Sequence, residues 1–464
     1  MLIGKSMLSF FVLLGAILSF GSIEAASSAD NEPIHVQLET DVKLLPLYMP
    51  QFSQDHSAFE TEYLQELEKI LNFDLSHNGM VALVKRTKQM DDLASRNDIA
   101  FPWKSHHVAY VLKVCGNDKS LSAQILSINT QMIKTIDSVP LSGDLRFDRR
   151  QIHLLADSVY RSLFGQDGIA STHILYTIKT KGTIPNLWIS EVYESDYDGG
   201  NLRRITQEGG YCITPCYIPP KAGSASGGFF YVSYKNGQPK IFVASLKDGI
   251  GRRFSFMRGN QLMPVISSQR DKVAFINDIT GNPDLFLQPF SPDVGAMGKP
   301  HQIFSHAQAT QGTPAFSPDG KRIAFVSNKD GSPKVYVMDI PLPGANLKHL
   351  KVKLVSKTNR ESSAPSWSPD GTKLAYCSMT DGVRQIWIYD FEKNMERQLT
   401  LGPGNKENPA WAPNSLHLVF NSTGKSGSEL YLVNLNQPEA VKITNGPGEK
   451  RFPNWEPSKN SAAR

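Results

Sequence analysis

The sequence predicts an α+β N-terminal domain followed by an all-β six-bladed propeller that its own C-terminal strand closes. Three observations predict it. The first is an anchor of proline, one residue, then a bulky and usually aromatic residue, written six times: Pro215-Cys216-Tyr217, Pro264-Val265-Ile266, Pro314-Ala315-Phe316, Pro365-Ser366-Trp367, Pro409-Ala410-Trp411 and Pro453-Asn454-Trp455. The second is the period, because successive prolines lie 49, 50, 51, 44 and 44 residues apart, the spacing of a propeller or solenoid array of short strands. The third is that the two ends of the array are out of phase.

Each anchor opens the same succession of elements. The fullest copy runs from Pro314 through Ser317-Pro318-Asp319-Gly320 to Gly331 and then Lys334-Val335-Tyr336-Val337. Ser-Pro-Asp-Gly suits a type I turn, with proline at its second position and glycine at its fourth. The flanking runs alternate or are β-branched and aromatic, as strands are. A glycine closes the second strand at 182, 237, 281, 331, 382 and 427, and a third strand follows each time, as at Ile241-Phe242-Val243 and Ile386-Trp387-Ile388. A fourth short strand ends in motifs such as Arg204-Ile205-Thr206 and Lys442-Ile443-Thr444. Four strands make one WD40-like blade.

The first unit, from Ile174, has no anchor in front of it, and the last anchor, at Pro453, has no blade behind it. Ring closure accounts for both ends: the C-terminal strand completes the first blade, so few strand edges stay open. An open solenoid would need polar capping repeats. The propeller is therefore placed at residues 173–456. Composition agrees, with 40% apolar residues, 35 Gly and 29 Pro in 464 residues.

The N-terminal region sets a compartment. Lys5 precedes an apolar run from Met7 to Phe20, and small residues follow. That run is too short to span a bilayer and suits a signal-peptide core, so residues 1–25 are read as a signal peptide and the mature chain as exported and soluble. Residues 33–165 then form a small mixed α/β domain. It includes a candidate strand over Ile34-His35-Val36-Gln37-Leu38, and a helix carrying Leu64, Leu67, Ile70 and Leu71 on one face. A meander through Val108, Leu121 and Met132 follows, and then a closing helix that Asp148 would cap and Gly165 would stop.

Charge and chemistry-bearing residues exclude several classes. A net charge of +5 without an aromatic-interleaved basic patch gives no nucleic-acid footprint. Cys115 and Cys377 read as buried small hydrophobes, and the Cys212/Cys216 pair leaves a disulfide open in an oxidising compartment. Of the five propeller histidines, His173, His301, His306, His349 and His417, His301 and His306 share one loop and the others fall at unrelated repeat positions, so no metal cluster is expected. The Ser-x-Ser of Gly223-Ser224-Ala225-Ser226-Gly227 has the wrong spacing for a nucleophile elbow. Asp319 and Asp370 belong to turns. The expectation is a protein that is not an enzyme and takes no cofactor.

Several motifs carry a resemblance: Leu163-Phe164-Gly165-Gln166-Asp167-Gly168-Ile169-Ala170 at the domain junction, Ser195-Asp196-Tyr197-Asp198-Gly199 in the first blade, Ser-Pro-Asp-Gly at 317–320 and 368–371, Tyr336-Val337-Met338-Asp339, and Phe452-Pro453-Asn454-Trp455. Together with the domain order they resemble the TolB family, soluble periplasmic components of the Tol-Pal system of Gram-negative envelopes. The resemblance implies a monomeric, non-enzymatic adaptor that helps maintain outer-membrane integrity and envelope constriction. Its propeller would bind a Pal-like peptidoglycan-associated lipoprotein, and its N-terminal part would engage a TolA-like inner-membrane protein. Propellers with such repeats also serve glycan-binding proteins, hydrolases and lyases, which stay open as alternatives.

The family places its site at one mouth of the propeller channel, in loops just before the Pro-x-aromatic strands. Six equivalent loops converge there, so one partner element can touch several blades. By motif position the site takes Asn260, Met263, Gly312 and Thr313. Extension to the neighbouring blades adds Ser363, Ala364, Glu407 and Asn408.

Overall fold

The computed structural model describes residues 33–38, 42–95, 102–184, 187–221 and 223–458. The expected signal peptide lies outside the described residues. No helix among them is long and apolar enough to cross a membrane.

Six four-stranded antiparallel units form the ring, with a two-residue strand added in the third. The innermost strands are Cys212–Tyr217, Gln261–Ile266, Gln311–Phe316, Ser362–Trp367, Asn405–Trp411 and Glu449–Trp455. Each touches the next in circular order, the last returning to the first. Glu449–Trp455 pairs antiparallel with His173–Lys181, so the C-terminal strand completes the first blade as its innermost member. Trp455 is buried there and its indole N–H donates to Thr172 Oγ1 at 2.8 Å.

The turns explain why the repeat tolerates departures. In blades 4 and 5 the Gly320 and Gly371 N–H groups donate to Ser317 and Ser368 carbonyls, both at 2.9 Å. Ser317 and Ser368 hydroxyls each bond the turn aspartate, Asp319 or Asp370, at 2.5 Å. The third copy, Ser267-Ser268-Gln269-Arg270, makes the same closure, with Arg270 N–H to Ser267 O at 2.9 Å and Arg270 taking the left-handed φ of +64°. The third copy keeps the backbone geometry with other residue types, whereas the second spans from Ile218 to Gly228 with a longer loop.

The N-terminal domain is a mixed six-stranded sheet backed by helices α1 (Thr61–Ser76), α2 (Lys88–Ser95) and α3 (Leu145–Phe164). Leu64, Leu67, Ile70 and Leu71 are buried on α1 as expected. The helix cap differs from expectation. Asp144, not Asp148, caps α3 by accepting the Arg146 N–H at 2.9 Å. Asp148 is buried in the first turn and accepts from Ser142 and Gly143 N–H groups and the Tyr63 hydroxyl. Gly165 ends α3 at φ +69°.

The domain's first predicted strand belongs elsewhere. His35–Val36 pairs with Thr400–Leu401 of blade 5, and Val36 N–H reaches Pro438 O at 2.8 Å. Ile34 and Val36, two apart and therefore on one face, are buried among Ile386, Leu399 and Leu418. With Thr400–Leu401 the segment forms a separate two-stranded sheet laid against blades 5 and 6.

Domain and ring share one apolar core, in which Leu67, Leu71 and Val159 join Tyr176, Val419, Leu432 and Trp455. A buried polar cluster fastens the seam. Tyr197 donates to Asp74 Oδ1 at 2.9 Å, and His153 Nδ1 lies 2.8 Å from Asp74 Oδ2. Arg149 reaches Asp196 at 3.0 Å and Asp198 at 2.5 Å. The Ser195-Asp196-Tyr197-Asp198-Gly199 motif is thus the first blade's handle on α1 and α3.

Candidate partner-binding mouth of the propeller

The proline of each anchor produces a local defect at the channel. In all six innermost strands the pairing register shifts at the anchor. The residue just before each proline carries the extra turn of the bulge. Thr214, Met263, Thr313, Ala364, Asn408 and Phe452 have φ of +48°, +55°, +35°, +51°, +54° and +56°. None is glycine, and the residue before proline ordinarily prefers extended backbone. Each such residue costs on the order of 1 kcal/mol or more, so the surrounding blades hold a ring of six strained positions in place.

Neighbouring members of the ring are bonded across blades. Thr313 N–H donates to Met263 Sδ at 3.0 Å, and Ala364 N–H donates to Thr313 Oγ1 at 3.3 Å. Asn408 Nδ2 donates to Asn421 Oδ1 at 2.9 Å on its own blade. Asn260 holds Asp278 through both its main-chain and side-chain amides at 2.7 Å.

The structure brings the predicted residues to one end of the innermost strands, with one difference of placement. Met263, Gly312, Thr313, Ser363, Ala364, Glu407 and Asn408 lie inside those strands, not in loops ahead of them; Asn260 alone precedes its strand. The bulge allows this, because pairing resumes on both sides of the proline. Asn260, Thr313, Ser363, Ala364 and Asn408 are half-buried, whereas Met263, Gly312 and Glu407 are buried.

Glu407 has a structural task. Its carboxylate lies 3.4 Å from Arg384 Nη1 on blade 5. Burial pushes this carboxyl above its usual range against the pull of Arg384 and Arg451. Arg451 in turn sits 3.0 Å from Glu449, which lies 3.5 Å from Lys179. Of these pairs Arg384–Glu407 joins blades 5 and 6, whereas Arg451, Glu449 and Lys179 all belong to blade 1, and Arg451 acts on Glu407 through its charge. Thr214 and Phe452 complete the ring and are absent from the predicted set. Their signal was present in the sequence, since each precedes an anchor proline just as Met263 and Thr313 do.

Two other candidate chemistries are answered by geometry. His153, Asp196 and Asp198 lie close enough to share a cation, but Arg149 already bonds both carboxylates at 3.0 and 2.5 Å. A guanidinium supplies the positive charge a metal would bring. All four cysteines are free thiols. Cys212 and Cys216 both sit in strand Cys212–Tyr217 and, across the bulge at Thr214, oppose Ser233 and Phe230 of a regular strand, three residues or roughly 10 Å apart, beyond disulfide reach. Burial pushes the Cys216 thiol up to about 11 and the Cys377 thiol up to about 12.

Comparison with known proteins agrees with this architecture. The family model described as the TolB beta propeller domain matches residues 160–459. A "Protein TolB homolog" of Protochlamydia amoebophila is 57% identical over 389 residues, covering 82% of this chain and 83% of that protein. A second, of Chlamydia abortus, is 38% identical over 396 residues, covering 85% and 86%. The crystal structure of TolB from Acinetobacter baumannii superposes with a TM-score of 0.72 over 92% of this chain and 100% of that one, at 19% identity, a likeness of fold. The repeat, the ring closure, the first-blade motif and these matches converge: the chain belongs to the TolB family.

Proposed function

We propose that this chain is a periplasmic, non-enzymatic adaptor of a Tol-Pal system. It binds a Pal-like peptidoglycan-associated lipoprotein at the propeller mouth and thereby helps maintain outer-membrane integrity and envelope constriction at division. The observation that carries the reading is the ring of six left-handed residues before the anchor prolines. Held by bulges and cross-blade bonds, it gives a partner a rigid rim assembled from every blade. Such preorganisation lowers the ordering cost of association. The polar side chains there are spent on holding the ring, as with Asn260 on Asp278 and Glu407 on Arg384, which suits a docking surface better than acid–base chemistry.

A TolA-like partner, implied by family membership for the N-terminal part, would meet a segment whose described portion, residues 33–38, lies along blade 5. Calorimetry of the mature chain with the soluble domain of its own Pal-like lipoprotein tests the reading. A saturable exotherm is expected. Absence of heat at high-micromolar concentrations, in a correctly folded preparation, would sink the partner assignment.

A further inference from the structure

Blade 2 carries a cavity that the mouth reading does not use. It is an open hollow of about 480 Å³ between the turn after strand Gly228–Ser233 and the segment that leads from strand Arg252–Arg253 into the third blade. That turn lies at the end where the innermost strand begins, because Cys212 pairs with Ser233. The cavity therefore opens on the same face as the mouth, beside Asn260. Its size falls within the range that small-ligand sites occupy.

Its lining is chemically one-sided. Lys240, Arg253 and Arg258 contribute three cations, and no carboxylate is among the described lining residues. Asp278, on the adjoining blade behind Gly259, is bonded by Asn260, and its charge offsets part of the cationic excess by raising Lys240. Burial, and then the charge of Arg253, hold the Lys240 amine below its ordinary value even though Lys240 Nζ donates to Gly259 O. Two carboxamides, Asn236 and Gln238, face the same space. Phe256 lines it too, 83% exposed, with the Arg253 guanidinium 5.2 Å from its ring centroid.

Each feature matches one part of a single ligand chemistry. Guanidinium groups pair with carboxylate or phosphate in a fork geometry. Carboxamides both donate and accept, as a set of hydroxyls requires. An exposed aromatic ring offers an apolar face to the C–H face of a pyranose. We propose that this cavity binds an acidic saccharide, with its anionic group on Arg253 and Arg258 and a sugar ring against Phe256. A bare anion would leave Phe256 and the two carboxamides without a role, and a neutral sugar would leave the cations unrelieved.

The test is calorimetry on the full mature chain with four probes: hyaluronan tetrasaccharide, mannose 6-phosphate, N-acetylglucosamine tetrasaccharide and inorganic sulfate. At least one acidic sugar should bind about tenfold more tightly than the neutral tetrasaccharide and sulfate. Which of the two binds tells carboxylate from phosphate. Arg253→Ala combined with Arg258→Ala should weaken that binding by about tenfold or more, and Phe256→Ala by a few-fold. Equal binding of the neutral sugar, equal binding of sulfate, or no binding of either acidic probe at low-millimolar concentration would overturn the proposal. Full binding by the double variant, with melting curves showing it folded, would overturn it equally.

Discussion

The hydroxyl of Thr313 accepts the main-chain N–H of Ala364 from the next blade, 3.3 Å away, while Thr313 itself donates its N–H to Met263 Sδ at 3.0 Å. Three consecutive blades are thus linked through the residues that precede their anchor prolines. Replacing Thr313 with Val keeps the shape and removes the acceptor. The account predicts a loss of about 1 kcal/mol in denaturant unfolding, with Thr313→Ser close to wild type. Equal loss for both variants would mean that the cross-blade bond contributes nothing.

Backbone strain at the ring predicts an unusual pattern at Ala364, whose φ is +51°. Glycine there relieves the left-handed cost and should be neutral or stabilising by up to about 1 kcal/mol. Valine, stiff and β-branched, should destabilise by about 1–3 kcal/mol. Urea midpoints of the two variants are the measurement, and a glycine variant clearly less stable than wild type would contradict the strain.

The seam between the domains rests on Arg149, Asp196, Asp198, His153 and Asp74. Arg149→Met removes the guanidinium from Asp198, which is half-buried, and from buried Asp196, which keeps His153 at 3.6 Å, and a cost of about 3 kcal/mol is expected. Tyr197→Phe removes only the hydroxyl that serves Asp74, for about 1–3 kcal/mol. Limited proteolysis should show the N-terminal domain of the Arg149 variant released first.

The same cluster sets a pH dependence. Burial would push the His153 imidazolium down, but Asp74 and Asp196 overcome this and hold it up to about 10. Burial raises Asp74 to about 6, so it remains ionised at neutral pH. The folded-state value of His153 lies above the unfolded value near 6.5. Its contribution is therefore full below that value and fades as pH rises through the folded one. The difference in melting temperature between wild type and His153→Gln should shrink from pH 7 towards pH 10. A constant difference across that window would contradict the protonated pair.

Ring closure predicts a strong effect at the C-terminus. Trp455 is buried in the shared core and bonded to Thr172, so Trp455→Ala should cost about 3–5 kcal/mol. A chain ending at Gly448 should lose cooperative unfolding, read by circular dichroism.

Much of this fold was legible because each blade writes its own anchor, turn glycine and aromatic strand. The phase mismatch between Ile174 and Pro453 disclosed the closure. The first-blade motif was legible as a mark of kinship but not as a clasp, since its partners Asp74, Arg149 and His153 lie far off in sequence. Of the strand expected over residues 34–38, His35–Val36 alone forms one, and nothing in the alternation could say that its partner was Thr400–Leu401. The left-handed ring was the least legible feature. Met, Thr, Ala and Phe before proline ordinarily stay extended, and here tertiary closure overrides that preference. Thr214 and Phe452 were legible as ring members because each precedes an anchor proline, whereas the pairing of Glu407 with Arg384 was not, because Arg384 lies on another blade.

The ring around the channel is proposed to receive the Pal-like partner. The most direct test is titration of the partner's soluble domain into wild type and into Met263→Arg combined with Thr313→Arg, with circular dichroism confirming that the double variant is folded. The account predicts at least about a hundredfold weaker binding by the variant, roughly 2.7 kcal/mol. Binding within twofold of wild type by the folded variant would contradict it.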